Sequence, residues 1–261
     1  MLSIHHDLHC HTRLSSCCED PTMTPEAIVR HAVSAGYDTV CITDHLWDRR
    51  VAGASAWYAP QDIAHICQDL PLPQADGLRV LFGCETEYCG HGKLGLAKES
   101  FERFDLILIP PNHMHMGAFT RPPQVDTEEK MAELFMERLE EIASLALPWH
   151  KVGIAHLTCP LLFSEGSVVK VLEHMNTERL CKVFALWAAE RAGIELNAHA
   201  FGEYAEAPDA YCRFYGLAKE AGCRFYYGSD AHAVHDLDCA VPEAFVQALK
   251  LTEQDRFMPV S

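Results

Sequence analysis

The sequence predicts an α/β fold in which seven parallel strands, alternating with helices, close into a barrel. The first observation is the alternation itself, because short β-branched apolar runs are separated by amphipathic segments along the chain. The second is that these runs are continuously apolar, which is typical of parallel strands covered on both faces. The third is the length of 261 residues, which suits one α/β barrel domain over residues 1–261.

Seven runs are predicted as strands because each is a short, mostly apolar segment between helical patterns. In chain order they cover residues 3–8, 38–43, 78–83, 104–109, 151–155, 193–197 and 223–228. Seven strand–helix units favour closure into a barrel over an open, doubly wound sheet. No GxGxxG or GxxxxGK[ST] motif follows any of these strands, which argues against a nucleotide-cofactor fold with the same alternation.

The first helix has the clearest sequence boundaries. Thr24 is a suitable N-cap, Pro25 suits the first turn, and Gly36 is expected to end the helix. Further helices are predicted by their amphipathic patterns at residues 63–70, 127–147, 168–192 (as two stretches), 209–221 and 242–251.

The charge of the chain limits the classes of molecule that it is expected to bind. The chain has 21 Lys and Arg residues against 37 Asp and Glu residues, which gives a formal net charge of −16. Binding to extended nucleic acid or anionic lipid relies on Lys and Arg displacing counterions, so neither is expected as the main partner. A site that collects divalent cations is compatible with this acidity, because the ions offset part of the negative charge.

The twelve cysteines are predicted to be reduced thiols. Their spacing is irregular, the chain has no CxxC pair, and the amino terminus does not resemble a signal peptide. No apolar stretch approaches the roughly 20 residues that a membrane span needs. The expected location is therefore the cytoplasm.

Metal-type residues follow almost every predicted strand. They are His9, His11, Asp44, His45, Glu85, His113, His115, His156, Asp230 and His232. The carboxyl ends of the strands of an α/β barrel meet at one rim, so these residues are predicted to surround a single cavity. Imidazoles combined with carboxylates suit Zn²⁺, Mn²⁺ or Fe²⁺, whereas Mg²⁺ and Ca²⁺ prefer oxygen ligands alone.

Not every member of this set is expected to bind a metal. His9 and His11 lie two residues apart, which points both side chains to the same side of an extended chain. His113 is favoured over His115 because it lies nearer to its strand. Asp44 is predicted to orient ligands rather than to bind the ion, and the same is predicted for Glu87.

The ordered motifs resemble those of the PHP family, named after polymerase and histidinol phosphatase. The motifs are DLHCHT at 7–12, ITDH at 42–45, GCE at 83–85, FDLILI at 104–109 with His113 after it, IAH at 154–156 and GSDAH at 228–232. The resemblance implies a distorted seven-stranded, TIM-like barrel with a trinuclear metal site and phosphoester hydrolysis.

The resemblance also implies which residues share each ion. One ion would be held by His9, His11, Glu85 and Asp230, with Glu85 bridging to a second ion at His113 and His156, and a third ion would use His45 and His232. Where the family has a His or Asp after its HxH motif, this chain has Cys17. The thiolate of Cys17, or the carboxylate of Glu19 or Asp20, could take this position, or the third site could be weak or empty.

Roles in catalysis follow from this metal arrangement. Two ions that share a water lower its pKa, so a metal-bound hydroxide is the predicted nucleophile, with Glu85 as the bridging carboxylate. A metal-bound water or a rim histidine, His232 or His199, is a candidate to protonate the leaving group. Arg13 and Arg121 are the cationic side chains predicted to hold the phosphate.

Trp47, Trp57 and Tyr58 follow the second strand and are candidates for the wall of the substrate pocket, although loop aromatics also pack against one another.

The function implied is hydrolysis of a small phosphate monoester with two or three divalent ions (Zn, Mn or Fe), and histidinol phosphate is the family-based choice. The alternatives are a nuclease or nucleoside bisphosphate phosphatase of the same family, an amidohydrolase, and a non-catalytic metal-binding module. Amidohydrolases often use a bridging lysine after the fourth strand, whereas this chain has His113 there. The oligomeric state is left open.

Overall fold

The computed structural model describes residues 1–198, 207–238 and 243–260. Its strands are β1 His6–Cys10, β2 Thr39–Ile42, β3 His45–Leu46, β4 Arg79–Thr86, β5 Leu106–Ile109, β6 Val152–Ile154, β7 Gly193–Asn197 and β8 Arg224–Gly228. All seven predicted strands are present. The first begins three residues later than predicted and ends at Cys10, so that His9 lies within β1 and His11 lies just beyond it.

The strands form a parallel barrel that is nearly closed. Their order is β1-β2-β4-β5-β6-β7-β8, and β3 pairs with the end of β4 after a two-residue break that follows β2. The first and last strands meet at their carboxyl ends, where His11 N donates to Ala231 O at 3.1 Å and Asp230 N donates to His9 O at 2.7 Å. This confirms the predicted distorted seven-stranded, TIM-like barrel of the α/β class.

Helices cover the outside of the barrel. They are α1 Pro25–Ser34, α2 Ile63–Ile66, α3 Glu128–Ala143, α4 Val168–His174, α5 Thr177–Glu190, α6 Pro208–Glu220 and α7 Glu243–Ala248. The side chain of Thr24 accepts a hydrogen bond from Ala27 N, and Pro25 lies in the first turn, as predicted. The alternation is incomplete, because the segment between β4 and β5 holds the 3₁₀ helix Lys98–Arg103 in place of an α-helix.

The interior of the barrel is apolar at the amino ends of the strands. A buried cluster there is formed by Leu8, Cys41, Leu81, Leu106, Leu108, Ala155, Tyr226 and Phe257. Phe257 comes from the carboxyl-terminal segment, and its backbone N donates to Phe225 O at 2.7 Å. The amino-terminal half of the barrel is therefore filled largely by apolar side chains, and the ligand-type residues gather at the opposite rim.

The described cysteines are all free thiols. Among the helices of residues 1–198, 207–238 and 243–260, none combines the length and the apolar composition needed to cross a membrane.

The fully buried His6 gives a testable pH dependence. Burial and the nearby charge of Arg256 lower the pKa of His6 from 6.5 to about 3. Between these two pH values the unfolded chain binds a proton that the folded chain does not, so stability falls as the pH drops through this window. From pH 7 to pH 5 the wild type should lose about 2 kcal/mol more of its free energy of unfolding than the His6→Gln variant.

Urea denaturation of both proteins at both pH values measures this difference. Glutamine is suitable because its amide oxygen can accept the hydrogen bond that Tyr227 N donates to His6 Nε2 at 3.0 Å. Equal losses in the two proteins would show that His6 does not contribute to acid sensitivity.

Candidate metal centre

The predicted ligand-type residues converge at the carboxyl rim of the barrel. His9 lies in β1 and Glu85 in β4, while His156 and Asp230 each lie two residues beyond the end of their strand. His9 Nε2 is 3.5 Å from Glu85 Oε2 and 3.4 Å from Asp230 Oδ1, and His156 Nε2 is 2.9 Å from Glu85 Oε1. These four side chains therefore converge at one place on the rim; Glu85, His156 and Asp230 also line the cavity there, whereas His9 does not.

Three groups of side chains place their ligand atoms within 4.8 Å of one another. The groups are His9, Glu85 and His156; His9, His11 and Asp230; and His11, His45 and His232. His9 and His11 each belong to two groups, so the groups are adjoining parts of one centre.

Glu85 lies in the middle of the centre and has no exposed surface. Its Oε1 is 2.9 Å from His156 Nε2 and 3.8 Å from His113 Nε2, and its Oε2 is 3.1 Å from His45 Nδ1. Burial alone would raise the pKa of Glu85, but the surrounding histidines, His45 and His9 foremost, hold it well below its ordinary value. Glu85 therefore presents two charged oxygens to different sets of imidazoles.

The donor set fits divalent ions. His9 Nε2 and His11 Nε2 lie 3.0 Å apart. The Nδ1–H of each ring donates to another acceptor, so in the neutral rings both Nε2 atoms carry a lone pair. Two facing nitrogen lone pairs are stabilised by a cation that both can bind. The buried atoms Glu85 Oε2 and His45 Nδ1 face each other at 3.1 Å but make no hydrogen bond to each other or to another described residue, as expected of atoms that bind an ion.

A cavity of about 570 Å³ opens above this centre. His45, Glu85, His113, Asp230 and His232 contribute to its lining, so a molecule inside it would meet the candidate ligands directly.

The sequence matches the family model of the PHP domain over residues 7–199. The chain belongs to the PHP family. The solved structures that resemble this PHP protein include histidinol phosphate phosphatase HisK from Lactococcus lactis, determined with zinc, L-histidinol and phosphate, with a TM-score of 0.61. The two chains are 14% identical over 96% of this chain and 95% of the other.

A second similar structure is a protein assigned as the histidinol phosphatase HisK of Listeria monocytogenes, with a TM-score of 0.59. It is 17% identical, and the alignment covers 89% of this chain and 97% of that one. Comparison with curated protein sequences gave no significant match. At these identities the solved structures establish the shared barrel fold.

Carboxylates orient two histidines of the PHP centre. His9 Nδ1–H donates to Glu195 Oε1 at 2.8 Å, and His113 Nδ1–H donates to Glu87 Oε2 at 2.8 Å. In both rings the Nε2 atom is left to face the centre. Such a bond fixes the tautomer and increases the basicity of the ligand nitrogen. Glu87 therefore has the orienting role that was predicted for it.

Neutral groups orient two further rings. His11 Nδ1–H donates to Ser15 Oγ at 3.0 Å, and Ser15 Oγ–H donates to Asp44 Oδ1 at 2.6 Å, which places Asp44 behind the ligand as predicted. His156 Nδ1–H donates to Asn112 Oδ1 at 2.9 Å. The orientation of these four imidazoles is thus determined before any ion binds.

Glu195 was not identified as a site residue from the sequence, although its strand was predicted. Its two oxygens accept from His9 Nδ1 and from His156 N, at 2.8 Å and 2.5 Å. An ideal Cβ on Gly228 would overlap Glu195 Oε1 and would lie 2.6 Å from His9 Cβ, so glycine is required there. The available signal was an acidic residue inside an apolar strand, because a fully buried carboxylate needs a partner.

Two candidate ligands have a left-handed backbone conformation. His156 has a φ of 26° and Asp230 a φ of 55°, both unusual for residues with a Cβ atom. Each lies two residues after its strand, at the point where the side chain reaches the centre. Strain of this kind persists where surrounding contacts hold the residue, and it is common at functional sites.

Cys17 lines the cavity, whereas the two carboxylates near it in sequence do not. Asp20 Oδ1 accepts from Thr22 N at 2.8 Å, and Asp20 Oδ2 accepts from Val234 N at 3.0 Å, so this side chain stabilises a turn. Glu19 is exposed to solvent. Burial, together with the charges of Glu85 and Asp230, raises the pKa of the Cys17 thiol. None of the three groups of ligand atoms among the described residues includes Cys17.

The two predicted phosphate-binding arginines lie outside the cavity lining. Arg13 pairs with Asp69 at 2.7 Å, and Arg121 makes two hydrogen bonds to Glu165, at 2.9 and 2.7 Å. Each guanidinium is therefore already paired with a carboxylate. His199 lies outside the described residues.

The aromatic prediction holds for two of its three residues. Trp57 and Tyr58 line the cavity, but Trp47 is buried behind them and donates from its indole nitrogen to Val51 O at 2.8 Å.

His113 and His115 both line the cavity; His113 is buried beside Glu85, whereas His115 is exposed.

Replacing Glu195 tests the orienting role. The Glu195→Gln variant can keep an acceptor for His9 but removes the charge and the acceptor of His156 N, so its affinity for Zn²⁺ should fall by about 10- to 100-fold. Competition with a chelator of known affinity measures this change. Glu190→Gln, on the exposed end of α5, serves as the matched control. An affinity equal to that of the wild type would remove Glu195 from the support of the centre.

Proposed function

We propose that the protein is a metal-dependent phosphatase that hydrolyses a small phosphate monoester with two or three divalent ions. The observation that carries this proposal is the position of Glu85, whose two oxygens face different imidazoles within one buried centre. Membership of the PHP family supports the same activity.

The residues proposed to hold Zn²⁺, Mn²⁺ or Fe²⁺ are His9, His11, Cys17, His45, Glu85, His113, His156, Asp230 and His232. Bound ions would supply positive charge for the phosphate oxygens and lower the pKa of a water. The chain provides the geometry, since Glu195, Ser15, Glu87 and Asn112 direct the imidazoles towards the centre.

The surroundings of His232 bear on whether it acts as a metal ligand or as a proton donor. Its Nδ1–H donates to Asp230 O at 2.7 Å, which leaves Nε2 with a lone pair in the neutral ring. Burial, reinforced by the neighbouring His11, lowers the pKa of His232 to about 4. A ring that is neutral at pH 7 is suited to bind a metal, so we assign His232 a ligand role in preference to that of proton donor.

Histidinol phosphate is the first substrate to test. Two solved structures with the same fold are named as histidinol phosphatases, and the cavity of about 570 Å³ accommodates a small phosphorylated molecule. An amidohydrolase with a bridging lysine is disfavoured, because no lysine lines the described cavity.

We also propose that residues 1–261 form one domain in the cytoplasm. Contacts of residues near both ends of the chain support a single domain. Leu2 N donates to Leu251 O at 2.7 Å, and Phe257 packs into the barrel interior.

A substrate panel combined with one substitution tests the activity. The metal-loaded protein should release inorganic phosphate from histidinol phosphate, sugar phosphates or nucleoside phosphates, and a chelator should abolish the release. Glu85→Gln should lose at least one ion per chain and reduce turnover by more than about 100-fold, since even orienting partners of a metal site contribute 10- to 100-fold. Phosphate release and mass-spectrometric metal analysis give the two readouts.

The matched control for this experiment is Glu99→Gln, which alters an exposed carboxylate of the 3₁₀ helix before β5. Unchanged metal content and unchanged turnover in Glu85→Gln would exclude Glu85 as the bridging ligand.

Cys17 is proposed as a ligand of the third ion, because it alone among Cys17, Glu19 and Asp20 lines the cavity. The Cys17→Ser variant should bind about one ion fewer per chain, and its preference for Zn²⁺ over Mn²⁺ should weaken, since thiolates favour the softer ion. Cys181→Ser, at an exposed position on α5, is the control. A metal count equal to that of the wild type would exclude Cys17.

A further inference from the structure

One wall of the cavity above the metal centre is apolar. Five large apolar side chains form it, and we call them the apolar wall: Trp57, Tyr58, Met116, Phe119 and Leu161. Trp57 is 37% exposed and Leu161 is 36% exposed, Met116 and Phe119 are partly exposed, and Tyr58 is fully buried. Partly exposed apolar groups gathered on one concave surface above the candidate ligands are suited to bind the apolar part of a ligand.

The apolar wall is joined to the metal centre. The rings of Trp57 and Tyr58 meet edge to face with centroids 4.7 Å apart, and Phe119 lies 6.0 Å from Tyr58. The hydroxyl of Tyr58 donates to Glu87 Oε2 at 3.1 Å, the same oxygen that orients His113. A phosphate at the centre and an organic group against the wall would therefore be held at a defined distance.

Within the described part of the chain, no lysine or arginine lines the cavity where it could bind a second anionic group. All 21 Lys and Arg residues of the chain lie within the described residues, and none of them lines the cavity. Arg13 and Arg121 are paired with Asp69 and Glu165. A second phosphate or a carboxylate of the substrate would thus lose its hydration without gaining a counter-charge.

We infer that the substrate is a monophosphate whose organic part presents an aromatic or other apolar face to this wall and carries no second anionic group. This inference rests on the proposed phosphatase function. Water would supply the new oxygen on phosphorus, the bond between phosphorus and the ester oxygen would break, and the alcohol would leave with one proton of that water. The apolar wall would bind the organic part through burial of its surface.

Three synthetic substrates test this selectivity in the metal-loaded protein. They are ethyl phosphate, 2-phenylethyl phosphate and 2-(4-carboxyphenyl)ethyl phosphate, in which the added groups lie far from the reacting bond. The kcat/KM for the phenylethyl ester should exceed that for the ethyl ester by at least about tenfold. The added carboxylate should reduce it again by about tenfold. Equal values for the phenylethyl and ethyl esters would overturn the inference.

Variants of the wall connect the selectivity to this surface. Leu161→Ala and Phe119→Ala should each reduce the phenylethyl-to-ethyl ratio of kcat/KM by at least about threefold, since each removes apolar contact area. Leu161 is exposed, so its truncation leaves no buried cavity. Leu186→Ala, at a 53% exposed position on α5 outside the cavity, should retain the wild-type ratio. A ratio that is unchanged in both wall variants would overturn the assignment of the wall.

The failure of the proposed function would be distinguishable from the failure of this inference. If no phosphate ester were hydrolysed, the proposed function would be wrong, and calorimetry with the stable analogues ethylphosphonate and 2-phenylethylphosphonate would still test the wall. The phenylethyl analogue should then bind at least about tenfold more tightly, and equal affinities would overturn the inference. Hydrolysis without selectivity for the phenylethyl ester would overturn the inference alone.

Discussion

The arrangement of the rim depends on the burial of two carboxylates beside one imidazole. Glu85 and Glu195 have no exposed surface, and His9 lies between them, with Nδ1 2.8 Å from Glu195 and Nε2 3.5 Å from Glu85. Burial alone would lower the pKa of His9, but Glu195, Asp230 and Glu85 together raise it well above its ordinary value. Because uncompensated buried charges are costly, this part of the barrel favours binding of positive charge, whether protons or metal ions.

The barrel meets this constraint by separating its interior into two layers. The amino half holds the apolar cluster that Phe257 completes, which excludes water from below the centre. The carboxyl half holds the histidines and carboxylates, and hydrogen bonds to Glu195, Ser15, Glu87 and Asn112 orient four of these imidazoles. Hydrogen bonds and ion pairs are stronger where water is excluded, so the apolar layer strengthens the polar layer above it. The strained backbones of His156 and Asp230 are maintained by contacts of this kind.

The sequence was sufficient to place the candidate ligands after successive strands and to suggest Asp44 and Glu87 as their supports, but it did not reveal Glu195. HxH at the end of β1 and single ligands after later strands follow directly from chain position, because parallel strands end at one rim. Glu195 is 186 residues from His9, so only the folded barrel shows that they touch. The sequence also does not show that Arg121 pairs with Glu165, 44 residues away. This pairing explains why Arg121 does not line the cavity, although its position in the chain placed it near the metal centre.

The charge distribution assigns the attraction of a phosphate and the discrimination among substrates to different groups of side chains, whereas many phosphate-binding sites combine them. Arginine commonly supplies both the attraction to a phosphate and its orientation. Here every Lys and Arg lies outside the cavity lining, and the chain carries a net charge of −16, so the protein itself repels polyanions. Attraction to one phosphate would then depend on the ions that Glu85 and the histidines hold. Discrimination among monoesters would be left to Trp57 and its apolar neighbours, which contact the part of the substrate that does not react.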